Sequence, residues 1–109
     1  MKIDPGGQGW KALCDLQEIP CLGSRVVQTA GGNLAVFRTA DDRVFALDDR
    51  CPHKGGPLSQ GIVSGDRVAC PLHGWLIELD SGAAVAPDQG CARRHEAQVH
   101  EGRVYLRVG

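Results

Sequence analysis

The sequence predicts an all-β domain, a small sandwich or barrel, and three observations carry that prediction. Apolar and polar residues alternate over several short stretches, as strands with one buried face require. Fifteen glycines and six prolines punctuate those stretches as turns. Nowhere does a helical period persist for three turns.

Residues 1–10 are Gly-rich and polar, with no apolar core of signal-peptide length. Leu13, Leu16 and Ile19 recur every third residue, which predicts one short helical turn closed by Pro20. Residues 25–29 read as a strand ending in the turn 30–33. Over residues 34–48, Leu34, Val36 and Arg38 oppose Ala35, Phe37 and Thr39, and Val44, Ala46 and Asp48 oppose Phe45 and Leu47. With Ala40-Asp41-Asp42 as the turn, this is a β-hairpin. Residues 61–69 read as strand, Ser-Gly-Asp turn and strand. Residues 97–100 and 103–108 form a closing hairpin about Glu101-Gly102. A loop over residues 84–91, holding Pro87 and Gly90, is placed to cover one end of the domain.

A chain of 109 residues fits a single domain, 1–109, which buries roughly two-thirds of its unfolded surface. A net charge of −1 and the lack of any Lys/Arg run give no reason to expect nucleic acid or an anionic membrane surface. No segment is long enough to span a bilayer, so the expected location is cytoplasmic and the expected partners are proteins.

The chemistry-bearing feature is Cys51-Pro52-His53, then sixteen residues, then Cys70-Pro71-Leu72-His73. Two thiols and two imidazoles on inter-strand loops form a metal-ligand set. A single residue between Cys51 and His53 is tighter than the two-to-four spacing of paired zinc ligands, which disfavours a structural zinc site while leaving it open. Gly55, Gly56 and Gly74 follow the ligand pairs, allowing positive φ and close approach of main-chain amides to whatever the ligands hold. Of five cysteines, Cys14, Cys21 and Cys91 are left over and read as small apolar fillers in a reducing compartment. His95, His100 and the Arg93-Arg94 step read as solvated, and Lys54 as a surface cation beside the ligand loop.

The C-x-H…C-x-x-H pattern resembles the Rieske motif, in which two Cys hold one iron of a [2Fe–2S] cluster and two His hold the other. The resemblance implies one cluster per chain, ligated by Cys51, His53, Cys70 and His73. It also implies a Rieske-type sandwich or barrel whose cluster-binding part, about residues 49–91, comprises two ligand loops and a short hairpin. Two ferric irons, two sulfides and two thiolates sum to no net charge with neutral imidazoles, so reduction is easier than for an all-Cys cluster. The outer imidazole nitrogens would form the electron exit. In high-potential Rieske proteins each ligand loop adds a Cys, and the two form a disulfide. Gly56 and Leu72 stand at those positions here, and Trp75 stands where those proteins place a hydroxyl. A low-potential, ferredoxin-type centre partly shielded by Trp75 or its neighbours is therefore expected.

The run 49–63, with Lys54-Gly55-Gly56-Pro57-Leu58-Ser59-Gln60-Gly61, together with residues 70–75 and the closing Gly90-Cys91 and Gly102-Arg103-Val104-Tyr105, resembles the small subunit of the assimilatory NAD(P)H-dependent nitrite reductase. That resemblance covers about residues 10–108. It implies an accessory electron-transfer role, with the sirohaem, four-iron cluster, flavin and nicotinamide sites of nitrite-to-ammonium reduction on a large partner subunit. The chain alone is not expected to be catalytic. The rival of the same size and fold is a Rieske ferredoxin serving a ferredoxin reductase and an aromatic-ring dioxygenase. A third reading is a structural or regulatory subunit whose cluster does not turn over.

Overall fold

A computed structural model describes residues 9–52, 55–72 and 74–107. Its described residues form nine strands: β1 (Lys11–Asp15), β2 (Ser24–Thr29), β3 (Gly32–Arg38), β4 (Val44–Asp48), β5 (Ile62–Ser64), β6 (Arg67–Ala69), β7 (Leu76–Glu78), β8 (Arg94–His100) and β9 (Arg103–Arg107). They make a six-stranded sheet, ordered β1-β9-β8-β4-β3-β2, and a three-stranded sheet, ordered β5-β6-β7. Every pairing is antiparallel. The small sheet is an insertion between β4 and β8, and it carries the second ligand loop. The all-β prediction holds, as do the hairpins over 34–48 and 61–69 and the closing one. Glu101 and Gly102 both have positive φ, +51° and +77°, which suits a two-residue turn whose twist matches the strands it joins.

Two apolar cores explain why β3 is buried along Leu34, Ala35, Val36 and Phe37 rather than on alternate residues. Val36, Val44 and Ala46 face one way, into a core with Cys14, Leu16, Ile19, Val104 and Leu106. Ala35, Phe37 and Leu47 face the other way, into a core that holds Leu58, Val68, Ile77, Leu79 and both motif cysteines. The large sheet is thus a wall with a core on each face. The second core joins it to the ligand-bearing insertion. Phe37, fully buried at that junction, makes the wall a rigid base for the metal loops.

The N-terminal segment departs from expectation. Leu13 lies in β1, which pairs with β9 through a bulge between Ala12 and Cys14, and only Leu16–Glu18 forms a 3-10 turn. The every-third spacing of Leu13, Leu16 and Ile19 thus spans a strand end and a single turn. Pairing with β9 overrides local periodicity. Asp15 and Glu18 close the turn as a capping box, with Glu18 Oε2 accepting the Asp15 N–H at 2.9 Å. The short strand β7 is not legible in the sequence. Among the described residues, no helix is long and apolar enough to cross a membrane.

Candidate metal centre

Cys51 and Cys70 open two loops with one backbone plan. The Cys51 N–H donates to the Gly56 carbonyl at 2.8 Å, and the Gly55 N–H donates back to the Cys51 carbonyl at 2.9 Å. In the second loop, the Cys70 N–H donates to the Trp75 carbonyl at 2.8 Å, and the Gly74 N–H to the Cys70 carbonyl at 2.9 Å. Gly55 and Gly74 sit at φ +73° and +72°, a conformation costly for any side chain with a Cβ. This explains both glycines that follow the ligand pairs.

The two loops are brought together on one side of the core. Cys51 is 1% exposed and Cys70 3%. A Cβ on Gly56 would lie 3.6 Å from the Cys70 Sγ and 2.7 Å from the Leu72 Cδ1. Gly56 therefore lets the loops approach, and the Leu72 side chain lies across the gap. All five cysteines are thiols. Two buried thiols on matched, abutting loops fit the thiolate half of a cluster site, where hydrogen bonding and water exclusion are set by backbone rather than by mobile side chains. His53, Lys54 and His73 lie outside the described residues. Among the described residues, accordingly, no three metal-capable side chains come together.

Several positioning residues support the first loop. Asp49 accepts the Ser59 N–H at 2.7 Å and the Ser59 hydroxyl at 2.8 Å, tying the loop entry to the 3-10 turn Leu58–Gln60. The Asp49 N–H donates to the Asn33 carbonyl at 2.9 Å. In the sequence, Asp49 and Ser59 stand inside the motif run with no role evident. Their separation of ten residues hides a contact that only the loop's return makes. Gly61 is required for a different reason: a Cβ there would fall 2.2 Å from the Ala69 carbonyl oxygen. The loop over residues 84–91 does cover this end, because a Cβ on Gly90 would meet the Pro52 Cβ at 2.9 Å, and the Ala84 N–H donates to the Gly90 carbonyl at 2.9 Å. Trp75 is half-buried against the core that holds both cysteines.

Two expectations are corrected. His95 is buried, not solvated: it is 5% exposed on β8, its Nε2 is 2.7 Å from the Asp48 Oδ1, and its Nδ1 has no partner among the described residues. Facing Ala46 across the β4–β8 ladder places it on the inner face of the wall. Only Cys14 is the buried filler expected of the three spare thiols, with burial raising its thiol above the ordinary value. Cys21 and Cys91 are exposed, because each sits in a loop rather than on a strand's inner face. Arg93 and Arg94 are exposed as expected.

The comparisons with known proteins agree with this geometry. The Rieske [2Fe-2S] domain family matches residues 9–102. A cholesterol 7-desaturase from Ciona intestinalis is 38% identical over 80 residues, covering 72% of this chain and 17% of that protein. A vanillate O-demethylase oxygenase subunit from Pseudomonas is 35% identical over 70% of this chain and 25% of its own length. The chain thus spans a quarter or less of these curated relatives. Among solved structures, one chain in a complex of reduced oxygenase and oxidized ferredoxin of carbazole 1,9a-dioxygenase superposes with a TM-score of 0.79 at 31% identity, covering 93% of this chain and 94% of that one. A chain described as an NADH-dependent nitrite reductase small subunit from Mycobacterium tuberculosis superposes with a TM-score of 0.80 at 26% identity, covering 92% and 96%. On the paired loops, the two buried cysteines and the matched family, this chain belongs to the Rieske [2Fe-2S] domain family, an electron-transfer domain whose cofactor is a [2Fe-2S] cluster.

Proposed function

We propose that this chain, as a single domain over residues 1–109 with its cluster-binding part at about 49–91, is the electron-transfer small subunit of a cytoplasmic NAD(P)H-dependent nitrite reductase. The observation that carries the reading is the near end-to-end match with a small subunit of that description, 92% of one chain against 96% of the other. The desaturase and the oxygenase subunit it resembles are at least four times longer than the matched part. The Lys54-Gly55-Gly56-Pro57-Leu58-Ser59-Gln60-Gly61 run adds support, since Gly55, Gly56, Ser59 and Gly61 each have a structural role in the loop they form.

In this reading Cys51 and Cys70 hold one iron and His53 and His73 the other. When bound, the cluster accepts and returns one electron at a time. The chain's own residues hold the thiolates in a water-poor pocket, fix both loops through their backbone amides, and screen one side with Trp75. Gly56 and Leu72 supply no disulfide, and Trp75 supplies no hydroxyl, so the reduced state gains few hydrogen bonds and the potential is low. The large sirohaem and flavin subunit would be both donor and acceptor.

Co-expression with that large subunit tests the reading. The two chains should copurify, and together but not singly they should reduce nitrite to ammonium with NADH or NADPH. Cys70→Ser should abolish the cluster's visible absorbance and separate assembly from turnover. A colourless protein with one zinc per chain would overturn the cofactor assignment. The 31% match within a dioxygenase system favours one alternative, a dissociable ferredoxin. Failure to copurify, with efficient electron delivery to a ring-hydroxylating oxygenase, would decide for it.

A further inference from the structure

Most arginines of this chain are neutralised locally. Arg25, Arg38, Arg43, Arg67, Arg103 and Arg107 each lie within salt-bridge distance of a carboxylate. Arg50, the residue before the first motif cysteine, is exposed and has no carboxylate partner among the described residues. The two acids beside it in sequence are turned elsewhere, Asp48 to His95 and Asp49 to Ser59. Its guanidinium lies over Gly55, with Nε 3.3 Å from where a Cβ would stand. The next residue, Gly56, meets Leu72 in the same way, and Leu72 is 52% exposed. Arg50 over the exposed Gly55, and Leu72 over the buried Gly56, therefore form one strip across the two ligand loops, cationic at one end and apolar at the other. Arg50 also borders a polar cleft of about 360 Å³ that includes Cys51, Arg93 and Asp48, whose Oδ1 is taken by His95.

We propose that this strip is the docking contact for the redox partner, and that the partner meets it with a carboxylate opposite Arg50 and an apolar side chain opposite Leu72. An exposed cation with no ion-pair partner among the described residues, placed beside a redox centre, steers an acidic surface toward it. An adjacent exposed leucine supplies the desolvated contact that slows dissociation. The inference rests on the electron-transfer reading; the nitrite reductase assignment enters only through the choice of probe.

The test uses cluster-loaded protein with unchanged visible spectrum, in wild-type form and as Arg50→Glu, Arg50→Gln, Leu72→Gln and Lys11→Glu. Lys11 is exposed on β1, three strands from β4, and matches the charge change without touching the strip. Binding to the large nitrite reductase subunit should weaken at least tenfold in Arg50→Glu, with a flatter salt dependence, and by less in Arg50→Gln. Leu72→Gln should weaken it with the salt dependence intact, and Lys11→Glu should bind as wild type. Equal affinities for Arg50→Glu and Lys11→Glu would overturn the strip.

If wild type fails to bind that subunit, the nitrite reductase reading fails, and small oxidants decide the strip. One electron then passes from dithionite-reduced protein to ferricyanide, an anion, or to tris(phenanthroline)cobalt(III), a cation. Arg50→Glu should slow the first several-fold and speed the second, both effects fading with salt. The same rates in Arg50→Glu and Lys11→Glu would overturn the proposal by this route as well.

Discussion

The two ligand loops share a backbone and differ in everything that holds them. The second loop joins β6 to β7, and its flanking residues Ala69 and Leu76 are themselves a cross-strand pair. Its geometry is therefore that of an extended hairpin turn, and among the described residues Gly74 has no neighbour within 4 Å of where a Cβ would be. The first loop leaves β4 of the large sheet and ends on the 3-10 turn of the insertion, so no ladder closes it. Side chains hold it instead, with Asp49 on Ser59, Arg50 over Gly55, and Pro52 against the loop that carries Gly90. A loop between paired strands inherits its register, whereas a loop between separate bodies must be anchored residue by residue.

The largest effect should come where both loops depend on one close approach. Gly61→Ala would force a Cβ against the Ala69 carbonyl oxygen, where the residue after the 3-10 turn that ends the first loop meets the residue before Cys70. Overpacking against backbone has no side chain to relax, and a loss of about 3 kcal/mol is expected in chemical denaturation, with low cluster content on purification. Asp49→Ala should come next and act on the first loop alone. It leaves the half-buried Ser59 N–H and hydroxyl without their acceptor, at about 2 kcal/mol. Cluster loss in this variant should begin at the first loop. Circular dichroism of the remaining fold set against visible absorbance would expose the difference, and a fall in both together would contradict it.

The glycine pair sharpens the comparison further. Gly55→Ala and Gly74→Ala both place a Cβ at positive φ, costing about 1–2 kcal/mol. Only the first must also displace the Arg50 guanidinium, which is a flexible side-chain end and yields cheaply. Thermal midpoints should therefore fall in both variants, with Gly55→Ala lower by a small margin. Gly74→Ala falling further would show that the open loop is the more strained of the two.

What the sequence discloses follows the same division. Hairpins at 34–48, 61–69 and the C-terminus are legible because alternation and turn residues lie within a few positions of each other. The paired cysteines and the glycines after them are legible for the same reason. The anchoring of the first loop is not, since Asp49–Ser59 and Pro52–Gly90 join residues far apart in the chain. His95 reads wrongly as solvated because a strand with one polar residue facing a wall looks the same whether that face is wet or covered. Asp48, 47 residues away in sequence, is what makes its burial tolerable. Burial of β3 on both faces is equally hidden, because the second core exists only once the insertion folds back.

The smallest effect lies at the end of the molecule away from the ligand loops, where Arg43 joins Asp41 of the β3–β4 turn to Asp66 of the β5–β6 turn. This exposed clamp is the far-end counterpart of Asp49–Ser59 near the metal loops. The Thr39 hydroxyl first, and Arg43 second, hold the Asp41 carboxyl below its ordinary 3.8. A carboxyl depressed on folding adds stability above its unfolded value, and that contribution is lost as pH falls through the folded one. Asp41→Asn should therefore unfold at a slightly lower temperature than wild type near neutrality, and the gap should close as the pH drops below about 4. Because the groups are exposed, added salt should narrow the gap at neutral pH as well. A gap that persists at low pH would mean that Asp41 acts through the shape of its turn, with Thr39 as the essential partner, and not through its charge on Arg43.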